Sequence, residues 1–489
     1  MSHDIHVIGS GFAGLSAAAH LSKLGKKVTV FEKNSTIGGR ARCFEEKNFL
    51  FDMGPSWYWM PDVFESFFAH FGKKPSDYYQ LSRLDPSYRI FYSETEILDI
   101  PASFDALLAL FEDIEKGSAE KLKQFLNEAQ YKYEVGINKL VYKPGKSLLE
   151  FVDLDLIKGL FSLHVFQSMH KYVRKYFNDP RLIQLMEFPV LFLGAMPKDT
   201  PALYSLMNYA DIVLGTWYPK GGMNAVAKGM AELAQSLGVE IHTNEEVSKL
   251  EIHSGKVKGI TTSKNTYATD AIVAGADYHH VEQHILPIEY RKYSEKYWNK
   301  RTMAPSSLIF YLGIDKKVDA LFHHNLFFDT DFEKHALEIY KQPSWPTDPL
   351  FYVCCPSKTD PDVAPEGKEN IFILIPTAPN LKDTEEIREK LFDLVIERLE
   401  KLTKQKIKES ISVKKSYAHK NFIEDYHSFK GNAYGLANTL LQTAILKPSM
   451  RNNKLKNLFF TGQLTVPGPG VPPSLISGEV VAKQLVKHL

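Results

Sequence analysis

Gly9, Gly11 and Gly14 stand in the spacing Gly-x-Gly-x-x-Gly, an arrangement that does its chemistry with bare backbone. The apolar run IHVI (5–8) precedes it and reads as a buried strand. LSAAAHLSKLGKK (15–27) follows, with Leu15, Ala18, Ala19 and Leu21 at helical spacing, and VTVFEK (28–33) reads as a second strand. In a strand–turn–helix–strand unit one glycine makes the turn, one admits a pyrophosphate and one lets helix and strand pack closely. The free N–H groups of the helix N-terminus, with Phe12 and Ala13 in its first turn, then hold a diphosphate. Glu32 ends the second strand where an acid can accept from a ribose hydroxyl pair, and Lys33 adjoins it.

A second glycine pair, Gly38-Gly39, is followed by Arg40. It offers further backbone donors and a planar, bidentate guanidinium suited to phosphate. Nicotinamide-binding units usually lack this addition. Near the C-terminus, LFFTGQ (458–463) reads as a buried strand and SLISGEVVAKQLVKHL (474–489) as a helix. Between them lies a Pro/Gly turn containing Gly470, Val471 and Pro472. A helix N-terminus after such a turn again presents unpaired N–H groups to negative charge.

The elements that must position these groups come from a chain of 489 residues, for which about 150 residues per domain suggests about three domains. With 59 Lys+Arg against 58 Asp+Glu the chain lacks the positive excess of a nucleic-acid binder. The three cysteines, Cys43, Cys354 and Cys355, have neither disulfide nor zinc spacing and fit a reducing compartment. The N-terminus does not read as a signal peptide, and no apolar run is long enough to span a bilayer. The adjacent pairs His279-His280 and His323-His324 are expected in surface or loop positions, and no metal site is expected.

Residues 103–210 are mostly helical by pattern. The stretch 154–177 is apolar with Lys158, Lys171, Arg174 and Lys175, and can be a buried lobe helix or lie on an anionic membrane surface. LMEFPVLFLGAMP (185–197) suits a hydrophobic channel or a core, and Trp57-Tyr58-Trp59 suits a core or a wall near the site. Residues 300–440 alternate the strands SLIFYLGI, LFYVCCP and NIFILIPTA with one long helix, TEEIREKLFDLVIERLEKLTKQ.

Taken together, the two glycine motifs with Glu32, Phe51-Asp-Met-Gly54-Pro55-Ser56, Trp217-Tyr-Pro219-Lys-Gly221-Gly222, Gly431-Asn-Ala-Tyr434-Gly, and Thr461-Gly462 with Pro467-Gly-x-Gly470-x-Pro472 resemble the bacterial-type carotenoid (phytoene) desaturases. These sit within the FAD-dependent amine-oxidase-like superfamily, and the resemblance spans essentially the whole chain. It implies an α/β fold: a Rossmann-type FAD-binding domain assembled from 1–100, 215–290 and 441–489, a helical membrane-associated lobe at 101–214, and a mixed-sheet substrate domain at 291–440. It places Gly54, Pro55, Ser56 and Gly462 with the motif residues at the FAD, and Val247 near the adenine. It tips 154–210 toward monotopic membrane contact, on a cytoplasmic protein attached peripherally.

The implied reaction is FAD-dependent desaturation of a long acyclic C40 polyene, with hydride leaving an allylic C–H for flavin N5. Phytoene desaturation and 3,4-desaturation of a 1-hydroxycarotenoid both fit. Quinone or oxygen is the implied electron acceptor. The allylic cation left behind is delocalised, so a strong general base is less needed. Some relatives carry Phe-Arg-Asp where this chain has Phe151-Val152-Asp153, which leaves Asp153 as a weak catalytic candidate. An isomerase or saturase of the same fold, or a flavin amine oxidase, is the alternative.

Overall fold

Five parallel strands carry the N-terminal motif, in the order Leu458–Phe460, Ala271–Ala274, Asp4–Ile8, Lys27–Phe31 and Glu240–His242. One sheet therefore draws on three distant parts of the chain. The computed structural model describes residues 3–147, 150, 164–439 and 442–489; Phe151-Val152-Asp153 and 154–163 lie outside the described residues. The central strands are rich in Val and Ile and buried beyond their first residues, Asp4 and Lys27, as a parallel sheet covered on both faces requires. Helices Phe12–Lys23, Met223–Ser236 and Val471–Val486 belong to this unit, and an antiparallel meander, Val247–His253, Lys256–Thr262 and Thr266–Ala268, continues from it.

Helices Phe12–Lys23 and Val471–Val486 meet backbone to backbone. A Cβ at Gly478 would lie 2.5 Å from the Ala13 carbonyl oxygen and 2.7 Å from Ala17 N. Ser16 Oγ donates to the Leu475 carbonyl at 2.7 Å across the same seam. The C-terminal helix begins at Val471, three residues before the predicted Ser474, because Pro472 and Pro473 fit a first turn whose N–H groups need no partner.

A seven-stranded sheet runs Ile411–Tyr417, Ser306–Ile314, Glu369–Thr377, Phe351–Cys354, His324–Phe327, Tyr88–Phe91 and Ile97–Ile100. It is antiparallel except where Tyr88–Phe91 pairs parallel with His324–Phe327. Residues 88–100, expected with the FAD-binding segment, thus form this sheet's edge. Strand alternation gives the sheet two different faces. Leu308, Phe310 and Leu312 pack with Phe392, Val395 and Leu399 of the helix Glu385–Thr403. Ile309 and Tyr311 join the other core, with Tyr352 and Leu374.

The predicted helical stretch 103–210 opens with two helices, Phe104–Ile114 and Ser118–Val135, broken at Gly117. Of the stretch 154–177, the described part holds a short helix, Met169–Val173. No helix among the described residues is long and apolar enough to cross a membrane.

Asp52, at the end of strand Phe49–Asp52, caps helix Met223–Ser236: its carboxylate accepts from Met223 N at 2.6 Å and Asn224 N at 3.1 Å. A Cβ at Gly222 would sit 2.1 Å from that carboxylate, so glycine is required there. Burial pushes the Asp52 carboxyl up to about 7, against the pull of those N–H donors and of Lys228. The folded state then holds a proton that the unfolded chain releases near pH 4. The resulting stabilisation is complete below about pH 4 and is lost as pH rises through about 7. Thermal melts of wild type and Asp52→Asn at about pH 5 and about pH 8 check this; the wild-type midpoint falls more between them than the variant's. Gly478→Val forces the two helices apart and costs about 1–3 kcal/mol or more, read as a lowered melting midpoint with loss of bound flavin.

Candidate active site

Where the C-terminal edges of the parallel strands open, a cavity of about 280 Å³ lies between the two sheets. Gly9, Gly11, Phe12 and Ala13 line one wall, with Gly38, Gly39 and Arg40 beside them and Gly54, Pro55, Gly462, Gly470 and Val471 along the floor. Gly9 has φ +94°, and a Cβ there would lie 3.2 Å from Ala276 N. Gly39 approaches Gly11 so closely that its Cβ would be 3.2 Å from the Gly11 Cα. Three predicted residues stand off the cavity. Gly14 lies beneath it, where a Cβ would be 2.0 Å from the Gly9 carbonyl oxygen, which is the helix–strand packing role. Ser56 turns away to hydrogen-bond Tyr352 Oη at 3.0 Å. Pro472 sits in the first turn of the C-terminal helix.

At one end of the cavity, the buried Glu32 carboxylate is oriented by four donors. Ser10 N and Oγ reach Oε2 at 2.9 and 2.7 Å, and Asn34 N and Nδ2 reach Oε1 at 2.9 and 3.0 Å. Val247, Glu246, His280 and His427 complete this end. The His280 and His427 rings stack at 3.8 Å, and His427 Nε2 lies 2.6 Å from Glu246 Oε1. Burial, with His427 and His284 next, pushes His280 down to about 3, so it is neutral. Lys33 points its ammonium at the Glu424 carbonyl and His427 rather than lying free along the wall.

Arg40 reaches across to the loop after helix His419–Tyr426. Its Nη2 donates to Ser428 Oγ at 3.1 Å and the Asn432 carbonyl at 3.3 Å, and it lies over the Tyr426 ring. Its Nε is buried without a partner. Burial lowers the Arg40 pKa and the Asp277 carboxylate opposes that shift. Asp277 is itself buried, accepts from His280 N and Phe429 N at 3.2 Å, and is pushed up by burial.

Beyond Tyr434 and Leu374, which line both spaces, lies a second cavity of about 60 Å³ on the inner face of the seven-stranded sheet. Phe188, Leu326, Phe328, Ile339 and Leu350 dominate its wall, and no Asp, Glu, Lys or Arg among the described residues lines it. His335 there is neutral and satisfied: its Nε2 donates to the Pro376 carbonyl, its Nδ1 accepts from Leu350 N, and burial holds it down at about 4. Phe188 belongs to the 185–197 run, which therefore contributes to a channel-like wall as well as to core. Trp57, Tyr58 and Trp59 do not line either cavity; Tyr58 and Trp59 are core, and Trp57 stacks on His324 at 4.1 Å.

Sequence reading did not place Asp277, His280, His427, Tyr434 or Gln463 at the site; they lie at helix ends and on loops that meet only in the folded chain. It also expected the pairs His279-His280 and His323-His324 in surface or loop positions, whereas His279 is buried on helix Tyr278–His280 and neither His323 nor His324 reaches the surface. The latter two are buried because His324 pairs across the sheet with Cys354 and His323 hydrogen-bonds Thr359 Oγ1. Among the described residues, His323 with His324 and Cys354, His20 with His70 and Glu479, and Glu246 with His280 and His427 bring ligand atoms within 4.8 Å of one another.

The flavin containing amine oxidoreductase model matches residues 12–486. The chain belongs to this flavoprotein family. It is an oxidoreductase, and its cofactor is FAD. A carotenoid 3,4-desaturase of Haloarcula japonica is 42% identical over 99% of this chain and 98% of its own length. A zeta-carotene-forming phytoene desaturase of Myxococcus xanthus is 30% identical over 99% and 93%. A 4,4'-diapophytoene desaturase of Staphylococcus aureus is 30% identical over 99% of both. Among solved structures, an oxidoreductase from Methanosarcina mazei has a TM-score of 0.65 at 18% identity, covering 98% of this chain and 100% of its own. Putrescine oxidase bound to putrescine has a TM-score of 0.61 at 12% identity, covering 100% and 99%. These two likenesses establish the fold.

The flavoprotein's cavity suits the group. The bare glycine wall admits a diphosphate, and the buried, unpartnered Arg40 Nε is a cationic donor that an anion satisfies. A hydrogen bond to a charged group contributes about 1.5–3 kcal/mol. Arg40→Ala therefore weakens FAD binding by about 10- to 100-fold, measured by titrating apoprotein with FAD and following flavin fluorescence. An unchanged affinity would restrict Arg40 to holding the 428–432 loop.

Proposed function

We propose that this flavoprotein desaturates a long acyclic carotenoid in carotenoid biosynthesis, with 3,4-desaturation of a 1-hydroxylated carotenoid favoured over phytoene-type steps. The observation that carries the reading is the apolar second cavity, which adjoins the cofactor cavity through Tyr434 and Leu374 and has no Asp, Glu, Lys or Arg among its described lining residues. A protonated amine substrate would need a counter-charge there, which argues against an amine oxidase. The 42% identity with a carotenoid 3,4-desaturase supports the bond choice.

In this reading Gly9, Gly11, Phe12 and Ala13 hold the diphosphate with Gly38, Gly39 and Arg40. Glu32 takes the ribose hydroxyls, with its oxygens already aligned by Ser10 and Asn34. Val247 backs the adenine, and Gly54, Pro55, Gly462, Gly470 and Val471 surround the flavin ring. Lys33 ties the 424–427 segment over the ribose end, and Gly14 and Pro472 support the wall from behind. Bound FAD supplies the hydride acceptor. The chain's own groups orient the polyene along the inner face of the sheet, and Phe188, Phe328 and Ile339 keep water out. The segments 1–100, 215–290 and 441–489, without the edge strands at 88–100, form the FAD-binding part.

The helical lobe is proposed to rest on a membrane from which the polyene enters. Phe166 is 89% exposed there, and Lys171 and Lys175 are nearby in sequence, a pairing of apolar anchor and basic charge. Quinone or oxygen is the proposed electron acceptor.

Holoenzyme is incubated with liposomes carrying either phytoene or a 1-hydroxylated acyclic carotenoid, with quinone or oxygen present. Loss of two hydrogens with a red-shifted spectrum is expected, and more readily from the hydroxylated substrate. An altered spectrum at unchanged mass moves the assignment to an isomerase. No change in either tube, with FAD bound, overturns the carotenoid reading.

A further inference from the structure

Away from the cofactor cavity, three helices converge on His20, His70 and Glu479. His20 lies on Phe12–Lys23, His70 caps the C-terminal end of Pro61–Ala69, and Glu479 lies on Val471–Val486. His20 Nδ1 is 2.8 Å from the Ser16 carbonyl oxygen, and His70 Nδ1 is 2.7 Å from the Ser66 carbonyl oxygen. A carbonyl only accepts, so each Nδ1 carries a hydrogen, and in the neutral ring Nε2 is left with a lone pair. Both lone pairs face one carboxylate. His20 Nε2 is 3.8 Å from Glu479 Oε2, and His70 Nε2 is 3.5 Å from Glu479 Oε1.

Two lone pairs against a carboxylate repel unless a cation lies between them. Lys483 donates to Glu479 Oε1 from the solvent side, yet His20 Nε2 stays buried and unpartnered. His20 and Glu479 are only 6% and 4% exposed. The distances choose the cation. A charge-assisted hydrogen bond would bring nitrogen and oxygen to about 2.7–2.9 Å. A tetrahedral zinc with bonds of about 2.0–2.1 Å sets its ligand atoms about 3.4 Å apart, near the observed spacing.

We propose that His20 Nε2, His70 Nε2 and the Glu479 carboxylate bind one zinc-class divalent ion, with water as the fourth ligand. The Ser16 and Ser66 carbonyls are the outer partners that hold each ring in its ligating tautomer. The His70 side chain is 39% exposed, which opens the site to solvent. The ion ties together three helices, two of which begin at the wall of the FAD cavity with Phe12 and Val471. Its role is a structural staple behind the cofactor, not a part in the redox step.

Chelator-treated holoenzyme is given zinc chloride, desalted and assayed for bound metal and for its melting midpoint. Wild type is expected to retain one zinc per chain and to melt a few degrees higher with zinc. His70→Ala, which truncates a partly exposed side chain, and Glu479→Gln lose at least tenfold in zinc affinity and lose the shift. Cys354→Ser, in the separate His323–His324–Cys354 cluster, keeps both. Cobalt in place of zinc gives ligand-field bands without thiolate charge transfer. The proposal is overturned if wild type retains no zinc, if His70→Ala retains it as wild type does, or if Cys354→Ser abolishes it.

Discussion

Close backbone contact is the constraint on which the rest of this structure depends. Gly14 rests against the Gly9 carbonyl, Gly39 against Gly11, and Gly478 against Ala13 and Ala17. A Cβ would overlap backbone at Gly14 and Gly478, and at Gly39 it would press on the Gly11 Cα from a left-handed backbone of φ +55°. Through these contacts the first helix is pinned between the parallel sheet and the C-terminal helix, so chain segments more than four hundred residues apart share one wall. The unpaired N–H groups of both helix starts then face one space. Packing and anion binding have the same cause here: removing side chains brings helices together and bares their donors.

The seven-stranded sheet solves a different problem. Its alternation sends Leu308, Phe310 and Leu312 into a sealed core beneath the helix Glu385–Thr403, while Ile309 and Leu374 face the cofactor cavity. The sealed face supplies rigidity and the other face supplies a floor. Leu374 reaches both cavities, so with Tyr434 it forms the boundary at which the apolar space adjoins the cofactor cavity.

Local features were legible in the sequence. The strand, glycine turn and helix at 5–23, the helix at 385–403 and the paired glycines at 38–39 are specified by residues adjacent in the chain. Features made by distant pairing were not. Nothing in Tyr88–Phe91 announces that Arg89 will pair with Asn325, so residues 88–100 were grouped by chain position with the FAD-binding segment 1–100 and not with the sheet they join. His323 and His324 looked superficial because adjacency suggests a loop, whereas the register with Cys354 buries them. His280 and His427 stack because the end of helix Tyr278–His280 meets the C-cap of helix His419–Tyr426, a contact that no periodicity encodes. The start of the last helix was misplaced by reading Pro472 and Pro473 as loop residues, although prolines are well suited to a first helical turn.

The polar groups that remain near the apolar cavity bear on how much acid–base chemistry the site needs. His335 has both ring nitrogens engaged with backbone and is held neutral by burial. Tyr352 is spanned by Ser56 at 3.0 Å and His324 Nδ1 at 2.6 Å, and burial raises its pKa far above the ordinary value. Neither is a poised base at neutral pH. Loss of hydride from an allylic carbon leaves a cation spread over the polyene, which acidifies the neighbouring C–H. Orientation and the exclusion of water then account for more of the barrier than a matched base does. A wall of Phe188, Phe328 and Ile339 is suited to that task, since water admitted beside a delocalised cation would trap it as an alcohol before the second hydrogen left.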